Sequence, residues 1–282
     1  MSVHPCFWYA GNASQAFKTY AEAFSDAELT LDNGFLFELT FNGTKVAGMN
    51  GGARYKPNVS VSAFVELPTI EAVDAAFARL NTDTAEVKMP LGAYDWSERF
   101  AWITDEWGVS WQLVYTPSAA ASFSAAVMFF GDNAGRARAA MEHYKALLPD
   151  TRVLTQLDFP EDATQNPGGL MHAQLASGTS KMILCDSNPV EPATFTPGGS
   201  LMLPCTNQEE IDRYWSALTA QGGAAGRCGW CTDRFGVSWQ VYPAELAGWL
   251  SNPRTAKQVG ERLQQMDKIE MGELAPTPTK WL

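Results

Sequence analysis

Two stretches of this chain are nearly the same sequence. Residues 99 to 112 read R-F-A-W-I-T-D-E-W-G-V-S-W-Q and residues 227 to 240 read R-C-G-W-C-T-D-R-F-G-V-S-W-Q, with nine of 14 positions identical. Two tryptophans and a glutamine in register are rarely supplied by chance, and the offset is 128 residues. Solenoid repeats are far shorter, so a period of this length means two copies of a small domain. A chain of 282 residues, 46% hydrophobic and 12% aromatic, can build the core that such a pair requires.

The rest of each copy can be laid out from that anchor. Each opens on an apolar strand, Cys6 to Tyr9 and Val127 to Phe130, followed by a helix carrying Ala16, Tyr20 and Phe24, or Ala140, Tyr144 and Leu147. A glycine hairpin comes next: Phe35 to Phe41, Asn42-Gly43 and Lys45 to Met49 in the first copy, Leu170 to Ala176, Ser177-Gly178 and Ser180 to Cys185 in the second. Counted from those glycines, His172 falls at the place of Phe37, with Gln174 on its face. A further strand, Val61 to Leu67 or Ser200 to Cys205, leads into a second helix, Thr69 to Leu80 or Asn207 to Leu218, with Thr69 and Asn207 as N-caps. The repeated segment closes each copy. The expected domains are a first module over 1–117, an Ala/Ser linker over 118–123, a second module over 124–245 and a helical extension and tail over 246–282.

Charge narrows the partners. A formal net charge of -11, with no run of Lys or Arg, argues against nucleic acid and anionic membrane. No apolar run approaches the roughly 18 to 20 residues that cross a bilayer, and the N-terminus lacks the regions of a signal peptide, so the expected location is the cytoplasm. The five cysteines are an odd number thinly spread, expected as reduced thiols with no disulfide framework.

The closing hairpin assigns side chains to faces. With Asp105 to Gly108 as a four-residue turn, Trp102 pairs with Trp111, and Phe100, Trp102, Trp111 and Leu113 form a packing face for helices. The opposite face then carries Arg99, Ala101, Ile103, Ser110 and Gln112, matched by Arg227, Gly229, Cys231, Ser238 and Gln240. A polar face kept in both copies suits a cavity wall, with a solvated sheet face as the alternative. Cys228-Gly-Trp-Cys231 has redox spacing, yet residues three apart in a strand point to opposite faces, and packing thiols are the expected reading.

The segments Met49-Asn-Gly-Gly52, Gly229-Trp230 and Thr232-Asp-Arg-Phe-Gly-Val-Ser-Trp-Gln240 resemble those of PhnB-like proteins, whose domain carries the description 3-demethylubiquinone-9 3-methyltransferase, within the vicinal-oxygen-chelate superfamily of glyoxalases, bleomycin-resistance proteins and dioxygenases. The resemblance spans residues 1 to about 268, and Cys185-Asp-Ser-Asn188 stands where the second copy lacks Asn-Gly-Gly. It implies an α+β fold in which two tandem βαβββ modules pair into a curved half-barrel around a cavity. In metal-dependent members the ligands come from the first and last strands of the modules. The matching positions are His4 or Pro5, Ser124 or Ala125, Gln112 and Gln240. One imidazole and neutral amides depart from the three His, Glu, Asp or Cys ligands that a catalytic divalent metal wants.

The expected function is therefore that of a small-molecule binding protein, monomer or homodimer, whose ligand meets Asn50, Arg99, Gln112, Gln174, Arg227 and Gln240, with no cofactor required. The alternatives are a lyase or isomerase with His172 as acid or base and Arg99 or Arg227 holding an anionic group, and an oxygenase with a divalent metal on His4, Gln112 and Gln240. The methyltransferase description lacks its physical basis: Gly11-Asn12 and Gly131-Asp132 are single turn glycines, not a cofactor-binding glycine loop.

Overall fold

A computed structural model of the protein describes residues 2–117, 119–187 and 193–276. Ser118 of the expected linker, Asn188 and residues 277–282 of the tail lie outside the described residues. Among the described residues, sixteen strands and four of the seven α-helices repeat one βαβββ order four times. The first set is β1 (His4–Tyr9), α1 (Ala13–Ala23), β2 (Glu28–Asp32), β3 (Leu36–Phe41) and β4 (Thr44–Asn50). The second is β5 (Val61–Leu67), α2 (Ile70–Leu80), β6 (Glu86–Tyr94), β7 (Ser97–Thr104) and β8 (Ser110–Tyr115). The third is β9 (Ser122–Phe129), α3 (Ala137–Leu147), β10 (Arg152–Asp158), β11 (Leu170–Ser177) and β12 (Ser180–Asp186). The fourth is β13 (Gly199–Cys205), α4 (Gln208–Thr219), β14 (Ala224–Ala225), β15 (Trp230–Thr232) and β16 (Ser238–Pro243), followed by α5 (Leu246–Ser251), α6 (Ala256–Leu263) and α7 (Met271–Leu274). Each copy of the sequence repeat therefore holds two βαβββ sets.

By packing, the chain divides into two compact units, Ser2–Leu201 and Met202 onward. The modules 1–117 and 124–245 are instead divisions of the repeated sequence, and we keep them as a proposal. The first unit contains one complete eight-stranded sheet in the order β10-β11-β12-β9-β5-β8-β7-β6, with four strands from each copy. The two copies join at its centre, where β9 runs antiparallel to β5. The strands β1-β4-β3-β2 also lie in this unit, β14-β15-β16 lie in that order in the second, and the division falls within β13, after Leu201.

The central strand β9 is the part that composition disguises. Its run Ser-Phe-Ser-Ala-Ala-Val-Met-Phe has a linker's share of Ala and Ser, yet all eight residues are buried. Phe123, Ala125 and Val127 alternate towards the helix side, and Ser122, Ser124, Ala126 and Met128 line the other face. Thr69 and Asn207 do cap their helices, accepting from the backbone N–H groups of Ala72 and Glu210. The first glycine hairpin also forms as the Asn-Gly pair dictates, with Asn42 at φ 48° and Gly43 at φ 80°.

The closing hairpin differs by one residue from the expected register. Thr104 pairs with Ser110, Ile103 with Trp111 and Trp102 with Gln112, leaving five residues in the turn. The cause is Asp105. Its Oδ1 accepts from the backbone N–H groups of Trp107 and Val109, both at 2.9 Å, which tucks Val109 into the turn. Its Oδ2 accepts from the Tyr20 hydroxyl at 2.6 Å and the Trp111 indole at 2.8 Å. Asp233 repeats the arrangement, accepting from Phe235 and Val237 N–H groups at 2.8 and 3.1 Å and from the Trp239 indole at 2.9 Å. The shared Asp, Gly, Val and Trp of the repeat are the parts of this turn.

A slip of one residue moves a whole strand to the other face. Arg99, Ala101 and Ile103 turn towards the helices, and Arg99 forms a two-pronged ion pair with Asp74 of α2 at 2.5 and 2.9 Å. Phe100 and Trp102 share the face of Gln112. In the second copy Cys231 pairs with Trp239 and goes to the helix side. Burial pushes its thiol up to about 12, as suits a packing group. Cys228 sits just before β15 at φ 61°, its thiol also raised by burial.

Asn at 105 would turn an NH2 group towards two donors, so Asp105→Asn is expected to lower stability by about 2–4 kcal/mol in chemical denaturation. A loss below about 0.5 kcal/mol would show that the carboxylate does not hold the turn. Oxidised glutathione at pH 8 should leave the native protein without a Cys228–Cys231 disulfide. Recovery of that cross-linked peptide by mass spectrometry would contradict the packing role.

Candidate ligand-binding face

Helices α2 and α3 cover one face of the eight-stranded sheet. The other, helix-free face can be followed strand by strand from the pairing. Gln112 on β8 lies beside Phe64 on β5, and Phe64 beside Ser124 on β9. Two strand spacings separate Gln112 from Ser124, about 10 Å along the sheet. Of the positions that the resemblance matches to ligands on this sheet, Gln112 and Ser124 thus flank a single aromatic ring, while Ala125 lies beside Ala63 on the opposite face. Phe64 and Gln112 are half-buried. Ser124 is 1% exposed, and its hydroxyl has no hydrogen-bond partner among the described residues.

The surrounding polar groups are satisfied locally. The Ser62 and Ser110 hydroxyls bond to each other at 2.7 Å, and the Trp102 indole donates to Ser110 at 2.8 Å. The Gln112 amide nitrogen lies 3.3 Å from the Met128 sulfur. Glu66, buried on β5, is paired with Lys181 and accepts from Ser122 at 2.9 Å. The charges on this stretch cancel among themselves. Phe100, Trp102 and Met128 pack with Val59 and Phe130 into an apolar cluster at one end.

The remaining expected site residues are dispersed. His172 and Gln174 do share the helix-free face, but the hairpin turn is Gly178-Thr179, so Leu36, not Phe37, is the counterpart of His172 and Ala173 takes the Phe37 place. Strand β11 lies four strands from β8, about 19 Å along the sheet. Burial lowers the His172 pKa, which favours the neutral ring. Asn50 is committed to structure: its side chain accepts from the Ala13 N–H at the start of α1 and donates to Gly34 O. Asp186 does the same work in the second copy, accepting from the N–H groups of Ala137 and Leu170. Gly51 leaves room for the Trp8 ring, whose indole donates to Gly52 O at 2.7 Å, and Gly52 takes a positive φ of 88°.

Arg99 belongs to α2 through Asp74. Arg227, largely exposed, bonds Gln264 O and lies 3.5 Å from Asp267 in the C-terminal extension. Gln240 is buried on β16 of the second unit, beside Trp230. His4 is buried on β1, with Nδ1 3.0 Å from Ser2 O and Nε2 without a partner, and desolvation lowers its pKa. Among the described residues, no group of three or more His, Cys, Asp or Glu side chains is arranged to hold a metal ion. The donors around Phe64 are a hydroxyl, a primary amide and a thioether, which do not fit a divalent metal.

No helix of the described residues is long and apolar enough to cross a membrane. Residues 1–114 and 121–242 each match the model of one family, 3-demethylubiquinone-9 3-methyltransferase. A comparison with curated proteins finds no match. Among solved structures, the PhnB protein of Bacillus cereus, provisionally described as a 3-demethylubiquinone-9 3-methyltransferase, is 26% identical over 40% of this chain and 98% of its own, with a TM-score of 0.36. Glyoxalase I from Zea mays is 13% identical over 86% of this chain and 91% of its own, with a TM-score of 0.56. A Bacillus subtilis protein provisionally described as a dioxygenase is 10% identical over 100% of this chain and 99% of its own, at 0.55. The last two share the fold. With both copies matched by one family model on a glyoxalase-like α+β fold, the chain belongs to the PhnB-like, 3-demethylubiquinone-9 3-methyltransferase family.

Proposed function

We propose that the protein binds a small neutral molecule on the helix-free face around Phe64, Gln112 and Ser124, where the two copies share one sheet, without a chelated metal. The observation that carries this reading is the Ser124 hydroxyl. A buried hydroxyl without a partner costs about 1–3 kcal/mol, and a ligand polar group placed beside Phe64 satisfies it. The cancelled Glu66–Lys181 charges favour an uncharged ligand, and Phe64 offers a ring to stack on. The location expected from the sequence is the cytoplasm.

The methyltransferase description finds no chemistry to rest on in this chain. Gly11 and Gly131 are isolated turn glycines at φ 125° and 52°, and no glycine-rich loop follows the first strand of either copy. An isomerase or lyase reading rests on His172, whose neutral, half-buried ring is suited to accept a proton. It stands four strands from Gln112, so one small substrate does not meet both.

Ligand-observed NMR with a panel of neutral aromatic amides and phenols tests the reading. Binders are expected, and Ser124→Val should weaken them roughly tenfold by removing one hydrogen bond. Binding unaffected by Ser124→Val and by Gln112→Ala would sink the assignment of this face. Turnover of a dialdehyde thiohemiacetal by wild type but not by His172→Ala would favour the isomerase.

A further inference from the structure

We propose that the tip of the β6–β7 hairpin is a second binding site, for a small organic cation bearing a protonated or quaternary amine. Tyr94 pairs with Ser97 there, so the connection is only Asp95-Trp96. Two-residue turns favour Asn, Asp and Gly, and a tryptophan adds nothing to such a turn. Trp96 is 64% exposed, the most exposed of the large hydrophobic side chains among the described residues.

The ring is nevertheless held in place. Its centroid lies 4.9 Å from that of Tyr94 with the planes 25° apart, and Phe100 meets both rings edge-on, at 5.8 Å from Tyr94 and 6.1 Å from Trp96. Tyr94 is fixed in turn by its hydroxyl, which donates to Pro90 O at 2.8 Å. An exposed indole fixed on one side presents a ready surface to a ligand at little entropic cost.

Trp96, Tyr94 and Tyr115 line a shallow depression of about 310 Å³ together with Asp95 and Glu98. Both carboxylates are exposed, and neither has an ion-pair partner among the described residues. The next cation along the strand, Arg99, is already bound to Asp74. Aromatic faces attract a cation through their quadrupole, and two unpaired carboxylates beside them add Coulombic attraction. An anion would meet repulsion, and a neutral molecule would gain from the rings alone. The depression holds a group of trimethylammonium size.

Fluorine NMR of fluorotryptophan-labelled protein reads the site directly, with the Trp96→Phe spectrum assigning its resonance. Choline chloride and benzyltrimethylammonium chloride should shift that resonance saturably, with dissociation constants of about 1 mM, while the uncharged carbon isostere of choline binds at least about tenfold more weakly. Asp95→Asn with Glu98→Gln should weaken choline by about fivefold or more. Ser124→Val should leave it unchanged, which separates this site from the one on the helix-free face. An unmoved resonance, an equal response to the neutral isostere, matched sodium chloride reproducing the shift, or no effect of the double substitution would each overturn the proposal.

Discussion

One buried carboxylate in each copy sets the geometry on which the rest of the fold depends. Asp105 and Asp233 hold the two backbone N–H groups of a five-residue turn with one oxygen and a core tryptophan with the other. The turn length sets the hairpin register, and the register decides which side chains reach the helices and which reach the helix-free face. Tyr20 adds a third tie in the first copy, linking α1 to the turn through Asp105. The identity between residues 99–112 and 227–240 thus describes a device for folding. Of its residues, only the last in the first copy, Gln112, belongs to the binding face we propose.

A large part of the fold was legible in the sequence. The repeat announced duplication, alternation and Asn42-Gly43 announced a hairpin, and the caps Thr69 and Asn207 marked helix starts. What escaped has physical causes. Strands β2 and β10 lie at sheet edges: β10 is exposed on both faces and shows no alternation, and β2 alternates over only five residues, Glu28–Asp32, with its two leucines half-buried. Strand β9 is buried on both faces, and its serines and alanines imitate a linker. Spacing alone does not distinguish a four-residue turn from a five-residue one. That requires recognising Asp105 as an acceptor for its own turn, and missing it placed Arg99, Ala101 and Cys231 on the wrong face.

The candidate site was legible in part for the same reason. Gln112, and Ser124 or Ala125, could be found from the resemblance, which matches them to superfamily ligand positions, but only the sheet order brings Gln112 and Ser124 to either side of Phe64. Asn50 and Asp186 show the opposite case. Their sequence contexts differ, yet both close the N-terminus of a helix, a structural duty that a family motif can disguise as a site.

Neutral groups stand on this face at the positions that metal-dependent members of the superfamily use for ligands. Calorimetric titration of the metal-free protein with zinc and manganese measures the consequence most directly. The donors around Phe64 should give no saturable binding tighter than about 100 μM. One-to-one binding in the micromolar range or tighter, abolished by Gln112→Ala or Ser124→Ala, would contradict the metal-free reading and restore metal chemistry to this face.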